Sequence, residues 1–114
     1  MLTSDGLNNI ASALADWLYI AVGSADPGIV TVSDTGVKTE IMRALRKTYF
    51  INGPVATIES FYSGPEVTVD VYDMAIHNLS AAGDCYQHAS FGSVIEKTVD
   101  DELIVTLVLT FAQA

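Results

Sequence analysis

The sequence predicts a mainly β (α+β) fold: an antiparallel β-sandwich or barrel-like domain with one amino-terminal amphipathic helix. Three observations carry that prediction. Residues 3–16 place Leu7, Ile10, Ala11, Leu14 and Leu18 at helical spacing on one face. Asn52-Gly53 separates two strand-like runs, and its preference for left-handed backbone suits a two-residue hairpin turn. Residues 103–112 alternate, with Leu103, Val105, Leu107, Leu109 and Phe111 sharing one face. One helix followed by many short strands is the order of an α+β or mainly-β two-layer fold. The 114 residues give room for one domain, residues 1–114.

Each element has a local reason. Ser4 or Asp5 can cap the helix by accepting amide hydrogens of its first turn. Trp17 to Val22 switches to aromatic and β-branched residues, which favour a strand. Gly23 to Gly28 and Ser33 to Gly36 are turn clusters, with a loop or short edge strand between them. Residues 39–46 are good helix formers in a short run, readable as a helical turn or a strand entry. Residues 46–51 and 54–62 then pair antiparallel around Asn52-Gly53. Ser63-Gly64-Pro65 turns the chain into a period-2 strand over 67–71, and Met74 to His77 follows. After a turn at 81–84 come a strand over 85–91 closed by Gly92, a strand over 94–98, a turn through Asp100-Asp101-Glu102, and the last strand. The opposite face of that last strand, with Ile104 and Val108 among threonines, is half apolar. A strand apolar on both faces is central in a sandwich or covered by a partner.

Composition excludes several classes. Half the residues are hydrophobic and only 17% are charged, so the chain can bury enough surface to offset its conformational entropy. The net charge is −9, unevenly spread. Residues 38–47 hold Lys38, Arg43, Arg46 and Lys47 against Glu40, a segment of +3 on a remainder of −12. Lys97 is the one base elsewhere, so a nucleic-acid partner is not expected. The most apolar run spans ten residues where a bilayer needs about 20, so no membrane is expected either. The amino terminus lacks the positive n-region of a secretory signal, so Asn78-Leu79-Ser80 reads as an accidental sequon. One cysteine excludes an internal disulfide framework.

Candidate chemistry is sparse. Cys85 and His88 form a lone C-x-x-H, half of a structural zinc site, and the only other histidine is His77. The competing reading is a half-buried thiol with a surface histidine. A Cys85 nucleophile needs an electropositive setting, and its neighbour is Asp84. Asp100-Asp101-Glu102 lacks the alternating ligand spacing and turn glycine of a calcium loop. No glycine-rich phosphate loop is present. The expectation is a non-enzymatic chain without cofactor or metal. Lys38, Arg46 and Lys47 read either as a solvated face or as a patch that meets the acidic surface of another subunit. The last-strand residues Leu103, Val105, Leu107, Leu109 and Phe111 are the matching apolar candidates for assembly.

The order of segments resembles a family of small domains in tailed-bacteriophage structural proteins, mostly tail-fibre or baseplate-associated. The resemblance runs through Leu2-Thr3, Ile20-Ala21-Val22-Gly23, Asp34-Thr35 with Glu40 and Arg43, Asp73 to Ile76, Lys97-Thr98, and Leu107 to Phe111. Asp73 stands where the family tends to have Glu, Ala75 replaces a Gly, and the proline usual before Lys-Thr is missing. The resemblance implies a virion structural component, made in the host cytoplasm, whose partners are its own copies and other virion proteins. A tail, baseplate or adaptor role is one expectation. A capsid decoration (cement) protein and a small soluble ligand-binding domain are the alternatives. It also suggests a partly buried charge network in which Arg43 contacts Glu40, Asp73 or both, fixing strand register.

Overall fold

The computed structural model describes residues 3–110, apart from the side chains of residues 4, 7, 8, 10 and 11. The chain runs α1 (Ser4–Leu14), β1 (Tyr19–Gly23), β2 (Glu40–Leu45), β3 (Thr48–Asn52), β4 (Val55–Tyr62), β5 (Val71–His77), β6 (Cys85–Ile95) and β7 (Leu103–Thr110). The protein is mainly β. Its strands form two antiparallel sheets, ordered β2-β1-β5-β6 and β3-β4-β7, and do not close into a barrel. No helix among the described residues is long and apolar enough to cross a membrane.

The cap of helix α1 is Thr3, one residue before Ser4 and two before Asp5. Thr3 has extended backbone and its Oγ1 accepts the Gly6 N–H at 3.1 Å, so Ser4 and Asp5 fall inside the helix. Asp5 then lies in the first turn, where the helix dipole favours negative charge. Leu14 is buried, whereas the Leu7, Ile10 and Ala11 side chains lie outside the described residues. At the other end Arg46 donates to the carbonyls of Leu14 and Trp17, at 3.2 and 3.3 Å, and ties the helix exit to the β2–β3 corner.

The β3–β4 hairpin forms where the sequence predicts it, but the turn itself is Gly53-Pro54: Asn52 pairs with Val55 and Gly53 takes φ 57°. Residues 40–45 take the strand of the two readings open to that run, because pairing with β1 outweighs a weak local helix preference. Two other segments differ from their sequence patterns. Residues 67–70 lie outside any strand: Val67 and Val71 enter the core while Val69 is exposed, so the valine alternation serves a loop. Residues 85–95 are one strand where two were expected. Val71 pairs with Ile95 and Asp73 with Ser90, so β6 absorbs its excess residues in a bulge containing Gly92 at φ 80°.

One cluster fills the space between the sheets. Ile20, Val22, Met74 and Ile76 of the four-stranded sheet meet Ile58, Tyr62, Leu103, Val105 and Leu107 of the other. Each such aliphatic burial contributes about 1.5–3 kcal/mol. Leu103, Val105 and Leu107 are therefore core residues, with Leu109 packed against them, and are not free for an assembly contact. Phe111 lies outside the described residues. Tyr62 crosses the layer and donates its hydroxyl to the Ile20 carbonyl while accepting from Ser60. Burial holds its phenol far above the ordinary range. Lys97 is also buried, and its ammonium donates to the carbonyls of Gly64, Val67 and Thr98 at 3.2, 2.7 and 2.6 Å. That cation staples the β4–β5 loop to the β6–β7 loop, where a Cβ at Gly64 would meet the Val99 carbonyl at 1.8 Å.

Candidate functional site

Two outer faces remain once the core is assigned, and they are built differently. On the four-stranded sheet the register aligns Arg43, Ala21, Ala75 and His88 in one row, and Glu40, Gly23, Asp73 and Ser90 in the next. Side chains of such rows point to one side. A bulge at Tyr86 adds Cys85 to that side: Ile76 pairs with Gln87, but His77 pairs with Cys85. In a regular strand, residues three apart face opposite ways. The bulge is what puts both ends of the C-x-x-H on one face, and alternation alone could not show it.

The long connection between β1 and β2 covers this face and is clamped to it by three residues. His88 Nδ1 lies 2.8 Å from Asp34 Oδ2, and its Nε2 lies 2.7 Å from Asp73 Oδ2. Asp73 is fully buried, the His88 side chain is 5% exposed, and Asp34 is the outermost member. Asp73 Oδ2 also accepts the Lys38 N–H at 3.2 Å. Burial pulls the His88 pKa down, but hydrogen bonds to Asp73 and then Asp34, with their charges, outweigh it and raise the value above 6.5. Asp34 is held below its ordinary value by the Thr31 N–H and then by His88. A doubly protonated imidazole donating to two carboxylates fits both directions. Gly23 is required beneath this cluster, since a Cβ there would come within 2.1 Å of Asp73 Oδ1.

Arg43 makes a second clamp. Its Nη2 pairs with Glu40 at 2.7 Å, and its Nη1 donates to the Leu79 and Ala82 carbonyls at 2.9 and 2.7 Å. The expected Arg43–Asp73 contact is corrected. Asp73 sits two strands away, about 10 Å, and in a different row, with its carboxylate turned to His88. The turn Arg43 holds contains Ala82 and Gly83 at positive φ, and the Asn78 side chain accepts the Asp84 N–H at 2.8 Å. Asn78 is thereby a turn-former.

The chemistry open to this face is narrow. Both His88 ring nitrogens are engaged by carboxylates, leaving neither for a metal beside Cys85. Among the described residues no three His, Cys, Asp or Glu side chains are grouped to hold a metal ion. Burial raises the Cys85 thiol pKa, which disfavours thiolate. His77 is buried and neither ring nitrogen finds a hydrogen bond, so burial, then the Arg43 charge, lowers its pKa. A cleft of about 280 Å³ is bordered by Thr31, Asp34, Cys85, Tyr86, Gln87 and His88, but its Asp34 and His88 are paired with each other. Asp101 accepts from the Thr98 N–H and hydroxyl and closes the turn before β7.

The basic segment does not form one patch. Lys38 and Arg46 bracket β2, separated by on the order of 25 Å of extended chain. Arg46 is half-buried at the helix exit with its guanidinium 4.1 Å above the Tyr49 ring. Lys47 lies over Phe61 at 4.1 Å, and Lys38 is exposed beside the Asp73 clamp.

The outer face of the three-stranded sheet carries no covering segment among the described residues. Phe50, Thr57 and Val108 form one row; Thr48, Glu59 and Thr106 the next; Phe61 and Ile104 a third. Phe50 and Val108 are each 55% exposed and Ile104 is 51% exposed. Glu59 accepts from the Thr106 and Thr48 hydroxyls, both at 2.8 Å, which lowers its pKa. Sequence alternation marks these residues as outward, but only the pairing of β4 with β3 and β7 gathers them on one face. No protein-family model and no curated protein matches this chain.

Proposed function

We propose that this chain is a non-enzymatic building block of a bacteriophage particle, a small tail, baseplate or adaptor component. It folds as a two-sheet β-sandwich and acts through protein–protein contacts. The phage assignment rests on the segment resemblance, and the contact role rests on one observation. The three-stranded sheet leaves Phe50 and Val108 exposed on either side of Thr57, and Phe61 beside Ile104 across the intervening Thr48–Glu59–Thr106 row, on a face with no covering segment among the described residues, in a chain of net charge −9. Several large apolar residues left exposed on one sheet face mark an interaction site. The opposite polar face closes on itself, which suits a scaffold that must keep one shape while its other side is engaged.

A head-decoration role is the second reading. Arg43, Arg46 and Lys97 are spent on carbonyls and Glu40 within the chain, which leaves an acidic exterior suited to a solvent-facing position. Mass spectrometry and antibody labelling of purified particles test both. Recovery with tails or baseplates, and loss from tailless heads, is expected. Retention on tailless heads favours decoration instead, and absence from all particles rejects both.

A further inference from the structure

The outer face ends at an edge strand, β7, and the four edges of the two sheets are not alike. β2 is irregular against β1 and carries Glu40 and Arg43. β6 has two register shifts and a glycine at positive φ. β3 has five residues and lies between Lys47 and the hairpin turn. Charge, bulges and shortness are the devices that keep a sheet edge from pairing. β7 has none of them. Its eight residues, Leu103–Thr110, contain no charge, proline or glycine, and pair with β4 without a register break. Among the described residues, no backbone hydrogen bond reaches its outer edge.

We propose that β7 pairs antiparallel with β7 of a second copy of this chain, joining two three-stranded sheets into one sheet of six strands. This rests on the assembly reading above and names its partner and register. An antiparallel edge contact is two-fold symmetric, so one strand supplies both halves. Centring the axis on Thr106 sets Ile104 opposite the partner's Val108, Thr106 opposite the partner's Thr106, and Val105 opposite the partner's Leu107. Moving the centre one residue either way sets Ile104 opposite a threonine, so Thr106 is the centre that matches apolar with apolar. The observed rows then continue across the axis: Phe61 and Ile104 run into the partner's Val108, Thr57 and Phe50. Charge permits the contact. The nearest like charges in the central row are the two Glu59 carboxylates, three strand spacings or about 14 Å apart, beyond the screening length of about 8 Å at physiological salt.

The test is a charge swap read by mass in solution. Wild-type protein is expected at twice the mass of one chain. Ile104→Lys with Val108→Lys, and Ile104→Glu with Val108→Glu, each set like charges opposite one another and are expected at single-chain mass. Both positions are exposed on the outer face, so unchanged circular dichroism and thermal melting are expected. An equimolar mixture of the two variants sets Lys opposite Glu at every pair and should restore the doubled mass. A second measurement does not depend on charged variants. Thr106→Cys in a Cys85→Ser background should cross-link to a covalent dimer under diamide, because directly opposed residues lie about 4.5–5.5 Å apart between Cα atoms. Single-chain mass for the wild type at high concentration, doubled mass in either charge variant, or no recovery in the mixture overturns the pairing. If the protein is found in particles and the Lys variant assembles unimpaired, the pairing fails while the virion role stands. Dimers in solution with no protein in particles give the reverse.

Discussion

The two outer faces differ in how they are covered. On the four-stranded sheet, Ala21, Ala75 and Gly23 leave room for charged side chains, and those side chains hold the chain's own loops. On the three-stranded sheet, threonines and large apolar residues stand exposed above a regular pleat. Small residues with buried charge make a face that can be closed from within. Large apolar residues with hydroxyls make one that gains from an outside partner. The same core lies beneath both, so the difference comes from the outward residues of each strand.

The largest break in this comparison should come from Asp73. Asp73→Ala leaves His88 and the Lys38 N–H without their buried acceptor. Removing one partner of a buried pair costs about 3–5 kcal/mol, which should appear as an early urea midpoint. Asp34→Ala, at the solvent edge of the same clamp, should cost less and chiefly free the covering loop, read as faster amide exchange over residues 24–39.

The pH dependence of stability separates the two histidines. The His88 pKa is raised in the fold, so its contribution is complete below 6.5 and is lost as pH rises through the folded value. The His77 pKa is lowered, so its contribution is present above 6.5 and is lost as pH falls through its folded value. Asp34 adds a loss at more acid pH, as pH falls from 3.8 through its lowered value. Urea midpoints measured across pH should therefore fall on both sides of a maximum. His88→Gln should flatten the alkaline limb and His77→Phe the part of the acid limb that begins as pH falls below 6.5. A curve unchanged by either substitution would remove the imidazolium clamp from the account.

Arg46 should rank next. Arg46→Met keeps the stem but loses two charged donors to the helix exit and the cation above Tyr49. A cost of about 1–2 kcal/mol is expected, measured by thermal unfolding. Lys47→Glu should change stability far less, because Lys47 only overlies the exposed Phe61. If Arg46→Glu and Lys47→Glu weakened assembly alike and in a salt-dependent way, the split of the basic segment into separate roles would fail.

How far the sequence shows this follows from range. The helix, the hairpin and the alternation of β7 depend on residues close in the chain, so they can be read directly. Arg43 with Glu40 lies three residues apart, but on strand β2 the two share a side only because the register skips Ile41. Asp34, Asp73 and His88 meet across three segments, and their meeting requires the order β1-β5-β6 and the bulge at Tyr86, neither of which is a local property. Lys97 shows the same limit. In the sequence it is only the one base outside residues 38–47, whereas the carbonyls of Gly64 and Val67 in a distant loop, with that of its neighbour Thr98, make it a buried staple. Apolar residues on both faces of β7 signalled a second contact, but which face the core takes is settled only by its pairing with β4.

The smallest effect on stability should come from the bare face, and it discriminates most sharply. Phe50→Thr and Val108→Thr alter exposed residues whose neighbours are threonines, so stability should move within about 0.5 kcal/mol. Leu107→Ala, one residue from Val108 on the opposite side of the same strand, removes core volume and should cost about 2–5 kcal/mol. Assembly should rank the other way for the chain that still folds: Val108→Thr exchanges an apolar cross-strand pair for a mixed one and should raise the dimer dissociation constant. That inversion, between positions adjacent in sequence, follows only if one side of β7 belongs to the core and the other to a partner. Parallel losses in stability and assembly at Val108 would mean that its side chain supports the fold, and the bare face would lose its claim to be a contact surface.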